Sequence, residues 1–400
     1  QSFRDVEILG RDSIYLFVEV TIDPDQPLSV SPFVVEEAIR FETGGGIQDL
    51  PVEAWGQNAI YIPDNTNSKG VARLTCAMGE VIWNDPRPYV IFGVLLIDSC
   101  TLRILEGSRV HLHGGVVNSG TGFYTDGLIY TQPHGVLRIE GKPGNPVIIR
   151  SDRLEPGFAR LPGQWNGIRL GPDSRGHVFE HVRIYNPVVG VLVDSNATLD
   201  IRDAEIAYTG SSGLVSFAGD IRADNVLLHS NGRNGIQLSL GGRHRFRHCT
   251  VANYGNTADA LFASNLYCLD PLCSDFYLLP MEMSFQNCIL VGNQRDEIAM
   301  VDGSGGAPGF FQFDFSHSLV RIEELLDPKQ WPTFLEDCNQ CLAFRVGDRL
   351  FRNQGEFDFR PDSLAVFRRK GLYLPDLPFD LDGVARDMVS PDPGCYEYQP

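Results

Sequence analysis

Glycines followed by alternating aliphatic residues recur through the middle of the chain: GIRL at Gly167, GVLV at Gly190, GLVS at Gly213 and GIQL at Gly235, spaced by 23, 23 and 22 residues. Between them runs a second recurring segment: FEHVRI from Phe179, IRDAEI from Ile201, IRADNV from Ile221, FRHCTV from Phe246 and FQNCIL from Phe285. Its first and sixth positions are large and apolar. Its starts lie 22, 20, 25 and 39 residues apart, the last gap holding an insertion around residues 255–283. Alternation with a period of two predicts half-buried strands. Two short strands per repeat, joined by Gly, Asn and Asp turns, leave no room for helices between them. Such strands lie parallel only if the chain winds as a solenoid, each turn stacked about 4.8 Å from the last. The pattern therefore predicts an all-β fold, a parallel β-helix, in which each glycine turns a corner and the aliphatics after it fill the core. An antiparallel sandwich of evenly spaced strands is the alternative.

The same alternation in CTLRILEGSRVHLHG and GVLRIEGKPGNPVIIRSDR carries the pattern upstream, predicting the β-helix over residues 89–320. Residues 1–62 hold three strand-like runs, SIYLFVEVTIDP, AIRFETGGG and QDLPVEAWGQNAIYI, which predict part of a small β-sandwich. The polar PDNTNSKG opens a connector over 63–88. Residues 321–400, with a short helix candidate at RIEELLDPKQW, are expected to cap the open end of the coil, whose edge needs protection.

The segments DSIYLFVEVTIDP and VEAWGQNA, the opening GQWNGIRL, the strand FRHCTVANY and the ending DLDGVARDMVSPDPGCYEY resemble a group of Bacteroidetes right-handed parallel β-helix repeat proteins. The resemblance covers nearly the whole chain. It implies a right-handed coil behind a partial Ig-like domain. It also implies a place at the cell surface or outer membrane, held by a lipidated cysteine upstream of these residues. It implies no particular activity. No apolar run is long enough to span a bilayer. Gln1 opens without a charged-then-apolar leader, so an export signal is expected to have been removed or to lie outside the residues given.

A net charge of −18 argues against nucleic acid as a ligand and against unaided binding to an anionic membrane. Nine cysteines are not spaced as a zinc site. Two close pairs, Cys268 with Cys273 and Cys338 with Cys341, close as local disulfides if the compartment is oxidising, free thiols being the alternative. Cys249 and Cys288 share an inward column and are expected to remain reduced.

The second position of the recurring segment should point outward. It reads Glu180, Arg202, Arg222, Arg247 and Gln286, a ladder of three arginines on successive rungs, extended by RHRFRHC (243–249) to His244 and Arg245. Such a ladder suits bidentate contacts to the carboxylates or sulfates of an acidic glycan, whereas the alternative is a solvated, partly neutralised face. Catalytic residues do not stand out. A hydrolase needs paired carboxylates, while Asp173, Asp194, Asp200, Asp203 and Asp220 scatter in turns. A lyase base could not be lysine, which is missing from residues 143–328. His111 and His113 alternate on one strand without a third ligand, so they read as an exposed pair and no metal site is assigned. No cofactor is expected. DLDG (380–383) resembles the start of a calcium loop and leaves a structural calcium open, yet it lacks the downstream bidentate glutamate and reads as a turn. The sequence thus points to a non-catalytic surface protein presenting a lateral face to an acidic glycan or an outer-membrane protein partner. A polysaccharide lyase or glycoside hydrolase acting on an acidic polysaccharide, and a structural subunit of an outer-membrane assembly, are the alternatives.

Overall fold

A computed structural model describes residues 34–43, 45–55, 58–62, 71–76, 79–118, 123–328 and 330–400, together with Arg4, Val6, Glu7, Ser13, Ile14, Leu16 and Val18. The chain divides into two compact units, Gln1–Asn58 and Ala59–Pro400. In the first, Val34–Thr43 and Gly46–Trp55 form an antiparallel hairpin whose register closes at Thr43 and Gly46. The run expected as the first strand of a sandwich lies mostly outside the described residues. Ile60–Ile62, expected as the last strand of that segment, pairs instead in parallel with Tyr89–Phe92. Val71–Leu74 and Glu80–Trp83 likewise pair in parallel with Val94–Ile97 and Thr101–Leu105. The repeat therefore runs upstream of Tyr89, through the stretch read as a connector. The sequence carries a sign of it: Gly70 and Gly93 each precede an aliphatic strand, 23 residues apart, as Gly167 and Gly190 do.

Among the described residues the second unit is mostly β, with long parallel sheets. One sheet of nine strands runs in order from Val71–Leu74 to Ile298–Val301, each strand bonded to its counterpart in the next repeat. In the other, Phe179 lies opposite Ile201, Ile201 opposite Ala223, Ala223 opposite Phe246 and Phe246 opposite Phe285. This arrangement is consistent with a solenoid-like fold. The chain bends at left-handed residues that fall in columns. One column is His181, Asp203, Asn225, His248, Asn287 and His317, with φ between 46° and 55°. Asn, Asp and His enter this region more readily than other side chains.

Of the recurrent glycines only Gly167 has a positive φ, 138°, and the others have a different role from the one expected. Gly190 and Gly213 are not left-handed. A Cβ on Gly190 would lie 2.1 Å from the carbonyl oxygen of Gly213 on the next rung, so glycine is required by the close approach of two backbones.

Ile168, Leu170, Val191, Val193, Leu214, Ile236 and Leu238 are all buried in one continuous core. Within it, Phe246 stacks on Phe285 at 4.7 Å and Phe285 on Phe315 at 4.8 Å between ring centroids. That spacing is the strand separation itself, so each ring occupies the same inward position one rung on. Cys249 and Cys288 are buried beside this column as unpaired thiols. Disulfides join Cys268 to Cys273, Cys338 to Cys341, and Cys76 to Cys100. The last pair spans 24 residues, about one repeat, a separation that a search for close pairs passes over.

Residues 321–400 were expected to act as one end cap, but the structure divides them. Ile322, Leu325, Phe334 and Cys338 join the end of the main core, with Phe334 against Phe313 and Phe315. Residues from Leu350 onward instead form a strap across the side of the rungs. Phe359, Leu381, Cys395 and Tyr396 cover Leu227 and Ala252, and Leu350, Ala365 and Phe367 cover Ile289, Val291 and Leu319. Those covered residues point outward from the sheet and are apolar, which is why the side needs a cover as well as the end. The strap is also bonded to the corner column. Asn225 donates to the Phe379 carbonyl and accepts from Arg386, while Asn287 both donates to and accepts from the Leu372 backbone.

Replacing Phe285 with alanine should remove the middle ring of the stack and lower unfolding stability by about 3–5 kcal/mol. Urea denaturation should show this as a lower midpoint at unchanged slope, and Phe285→Leu should cost much less.

Candidate functional site

The position of the arginines follows from the register. Because Ile201 lies opposite Ala223 and not Ile221, the third rung is displaced by two residues from the alignment made on sequence. A two-residue shift preserves which side chains point in and which point out, so alternation alone cannot detect it. The corner column does detect it. In the observed register the third position of the segment reads His181, Asp203, Asn225, His248 and Asn287, all left-handed, where the shifted alignment would place Ala223.

Two outward columns result. One reads Glu180, Arg202, Asp224 and Arg247; its neighbour reads Val178, Asp200, Arg222 and Arg245. The expected ladder of three arginines is therefore not formed, because Asp224 stands between Arg202 and Arg247 and Arg222 falls in the other column. In the first of these columns opposite charges alternate from Glu180 to Arg247, the arrangement that favours a ladder. Arg247 donates through Nε and Nη2 to the two oxygens of buried Asp224, at 2.8 Å each, and through Nη1 to Asp376 of the strap at 2.7 Å. Arg202 and Arg245 approach Asp224 only to 3.6 and 3.7 Å. Arg202, Arg222 and Arg245 line one shallow depression of about 320 Å³ with Glu180, Asp200 and Asp224; Arg247 does not reach it.

His244 is not part of this surface. It lies between the outward Arg243 and Arg245 and so points inward, opposite Ile221 and Met283, where it is buried. Its Nε2 donates to the Gly241 carbonyl at 3.2 Å, leaving Nδ1 without a partner. His111 is also buried, not exposed, with Nδ1 3.2 Å from the Ser151 carbonyl, and His113 Nδ1 lies 2.7 Å from Asp152.

A larger groove, which the sequence did not reveal, lies where the strap meets the corner column. It encloses about 490 Å³ between His181, Arg183, Arg202 and Asp203 on one wall and the Asp376–Gly383 turn on the other. Arg202 lines both the groove and the depression, so the two adjoin at that side chain. His181 Nε2 lies 3.6 Å from Asp203 Oδ2. Burial lowers the His181 pKa and raises that of Asp203, holding both towards their neutral forms. The carboxylates of the groove are already engaged. Asp203 accepts from Asn225 at 2.9 Å, Asp376 from Arg247, and Asp382 from Arg360 at 2.7 Å. Asp380, in the DLDG segment, accepts from the backbone N–H groups of Asp382, Val384 and Glu397, which makes that segment a turn. No group of three or more side chains suited to a metal ion occurs among the described residues.

Beneath the strap, Glu205 accepts from Tyr185 at 2.9 Å and lies 3.1 Å from His229 Nε2. Burial pushes Glu205 up, but His229, Arg183 and Tyr185 together hold it below its usual range. No family model matches the chain, and no curated protein matches its sequence.

The burial of His244 makes a pH prediction. Burial holds its pKa down at about 4, against roughly 6.5 in the unfolded chain. The unfolded state therefore binds one more proton between these values. Stability is full above pH 6.5 and falls as pH drops towards 4. Thermal melts of His244→Leu should show a shallower acid decline by one proton, with little change in Tm at pH 7 because loss of the bond to the Gly241 carbonyl offsets removal of a buried unpaired nitrogen.

Proposed function

We propose that the second unit is a right-handed parallel β-helix and that the protein is a non-catalytic binding protein of the cell surface. In this reading the groove and the adjoining depression receive an oligosaccharide. Two features support the fold. Successive strands pair in parallel one repeat apart, and parallel crossover connections are right-handed in nearly all known cases. Surface location rests on the resemblance of the sequence to exported lipoproteins of this architecture, with membrane contact only through a lipid anchor outside the sequence.

The observation that carries the binding reading is the engagement of every carboxylate lining the groove. A glycoside hydrolase needs one carboxylic acid to protonate the leaving oxygen and a second carboxylate free to attack or to activate water. Here Asp203, Asp376, Asp380 and Asp382 are each held by a neighbouring donor. What remains available is a recognition surface: the loosely held Arg202 guanidinium, the His181 imidazole and the ring of Phe379, which is 54% exposed at the groove's edge. A sugar ring placed there would meet an apolar face on one side and hydrogen-bond donors on the other, the usual composition of a ligand site.

An oligosaccharide array probed with the whole chain should identify bound glycans of several sugars. Phe379→Ala and Arg202→Gln should each weaken the best of them by about tenfold, roughly 1.4 kcal/mol. Incubation should release neither reducing ends nor unsaturated sugars. An array without any bound glycan, or a product in either assay, would refute the proposal.

A further inference from the structure

The strand Gly242–Arg247 presents three outward arginines, Arg243, Arg245 and Arg247. Opposite them on the preceding rung stand Asp220, Arg222 and Asp224. The outer two arginines are matched: Arg243 bonds Asp220 at 2.7 Å and Arg247 bonds Asp224 at 2.8 Å. The middle one is not. Arg245 lies directly opposite Arg222, so two like charges face each other across one strand spacing. On its other side Arg245 meets the neutral Ser284.

Each member of this pair has only a long ion pair as compensation. The closest carboxylate to Arg222 is Asp200 at 3.8 Å, with both side chains more than half exposed. Arg245 reaches only Asp224, at 3.7 Å, whose two oxygens already accept from Arg247. Like charges directly opposite destabilise a ladder, and here, as at Arg103 opposite Arg138 and Glu140 opposite Glu180, the alternation of charge fails. It fails on the wall of the depression, where Arg222 and Arg245 stand together with Arg202 and with the carboxylates of Glu180, Asp200 and Asp224.

We infer that Arg222 and Arg245 form an anion subsite that takes a single carboxylate or sulfate group of a bound saccharide. The inference rests on the reading that this face receives a glycan and specifies its class as anionic. Two guanidinium groups across one strand spacing can donate to both oxygens of one oxyanion, and charge-assisted bonds of this kind are the stronger ones. The anion restores the alternation, since it supplies the negative charge that is missing between the two arginines. Recognition therefore occurs at one point of the ligand, with neighbouring sugars reaching Arg202 and the groove. A ladder along the axis would instead demand an anionic group on every sugar.

The test is calorimetric titration of the whole chain with three sets of tetrasaccharides: hexuronates, their carboxyl-reduced neutral counterparts, and sulfated galactans. At least one anionic set should bind ten times or more tighter than the neutral one, and the preferred set distinguishes carboxylate from sulfate. Its affinity should fall as salt rises from 50 to 500 mM, because the contact is electrostatic. Arg222→Gln and Arg245→Gln should each remove most of that preference, lowering anionic affinity far more than neutral affinity. The thermal midpoint of each variant should hold or rise, since a repulsion is removed. Equal binding of charged and neutral sugars would overturn the subsite and leave the glycan groove standing. Binding of none of the three sets would overturn the subsite, and the array decides separately on the groove. A fall in thermal midpoint that accompanies the loss of binding would assign the arginines a structural role and overturn it as well.

Discussion

The parallel register, in which each strand bonds to the strand one repeat later, determines almost everything else in the second unit. It forces like positions into columns. An inward column must be filled by side chains that stack on themselves at the strand spacing, as Phe246, Phe285 and Phe315 do. An outward column is more stable where opposite charges alternate, as they do through Glu180, Arg202, Asp224 and Arg247. At the corners the same column must repeatedly accept a left-handed backbone, and His181, Asp203, Asn225, His248 and Asn287 do so. Glycine at Gly190 belongs to the same constraint, because two backbones approach there too closely for a Cβ.

These columns also connect the core to the surface site. The corner residues present polar side chains in a line, and the strap satisfies them with backbone groups and with Arg386. Where the Asp376–Gly383 turn of the strap faces His181 and Asp203, the two form the walls of the groove. The acidity of the chain as a whole says little about this face. With a net charge of −18 the protein should repel anions at long range, yet the strand bearing Arg243, Arg245 and Arg247 meets only two matching aspartates on the preceding rung. Local stoichiometry, not net charge, decides what binds there.

Much of the mostly β architecture with parallel sheets was legible in the sequence, because inward aliphatics recur at a near-constant interval. The registration of the surface was not. The segment beginning at Ile221 matched its neighbours in apolar pattern two residues away from its true position, and parity could not tell the two apart. The residue type at the corner could have done so, since Asn225 and not Ala223 shares the left-handed tendency of His181 and Asp203. The strap was illegible for another reason. Its contacts join residues more than 80 apart, such as Asn287 with Leu372, and no local pattern encodes such a pairing. The disulfide between Cys76 and Cys100 was missed because the relevant proximity is between rungs and not along the chain.

The strap bears on how the molecule comes apart. In an array whose members contact only their neighbours, terminal members can detach one at a time, and the loss propagates inward step by step. Here one terminal segment grips Asn225, His248, Thr250 and Asn287, residues on three consecutive rungs. A rung at that end cannot peel away while the strap still holds the two before it. Opening there becomes a joint event, in which the strap and several rungs must release together. Because the same segment walls the groove, a ligand seated in it would bind only the closed arrangement and would act as a latch on the whole end of the array.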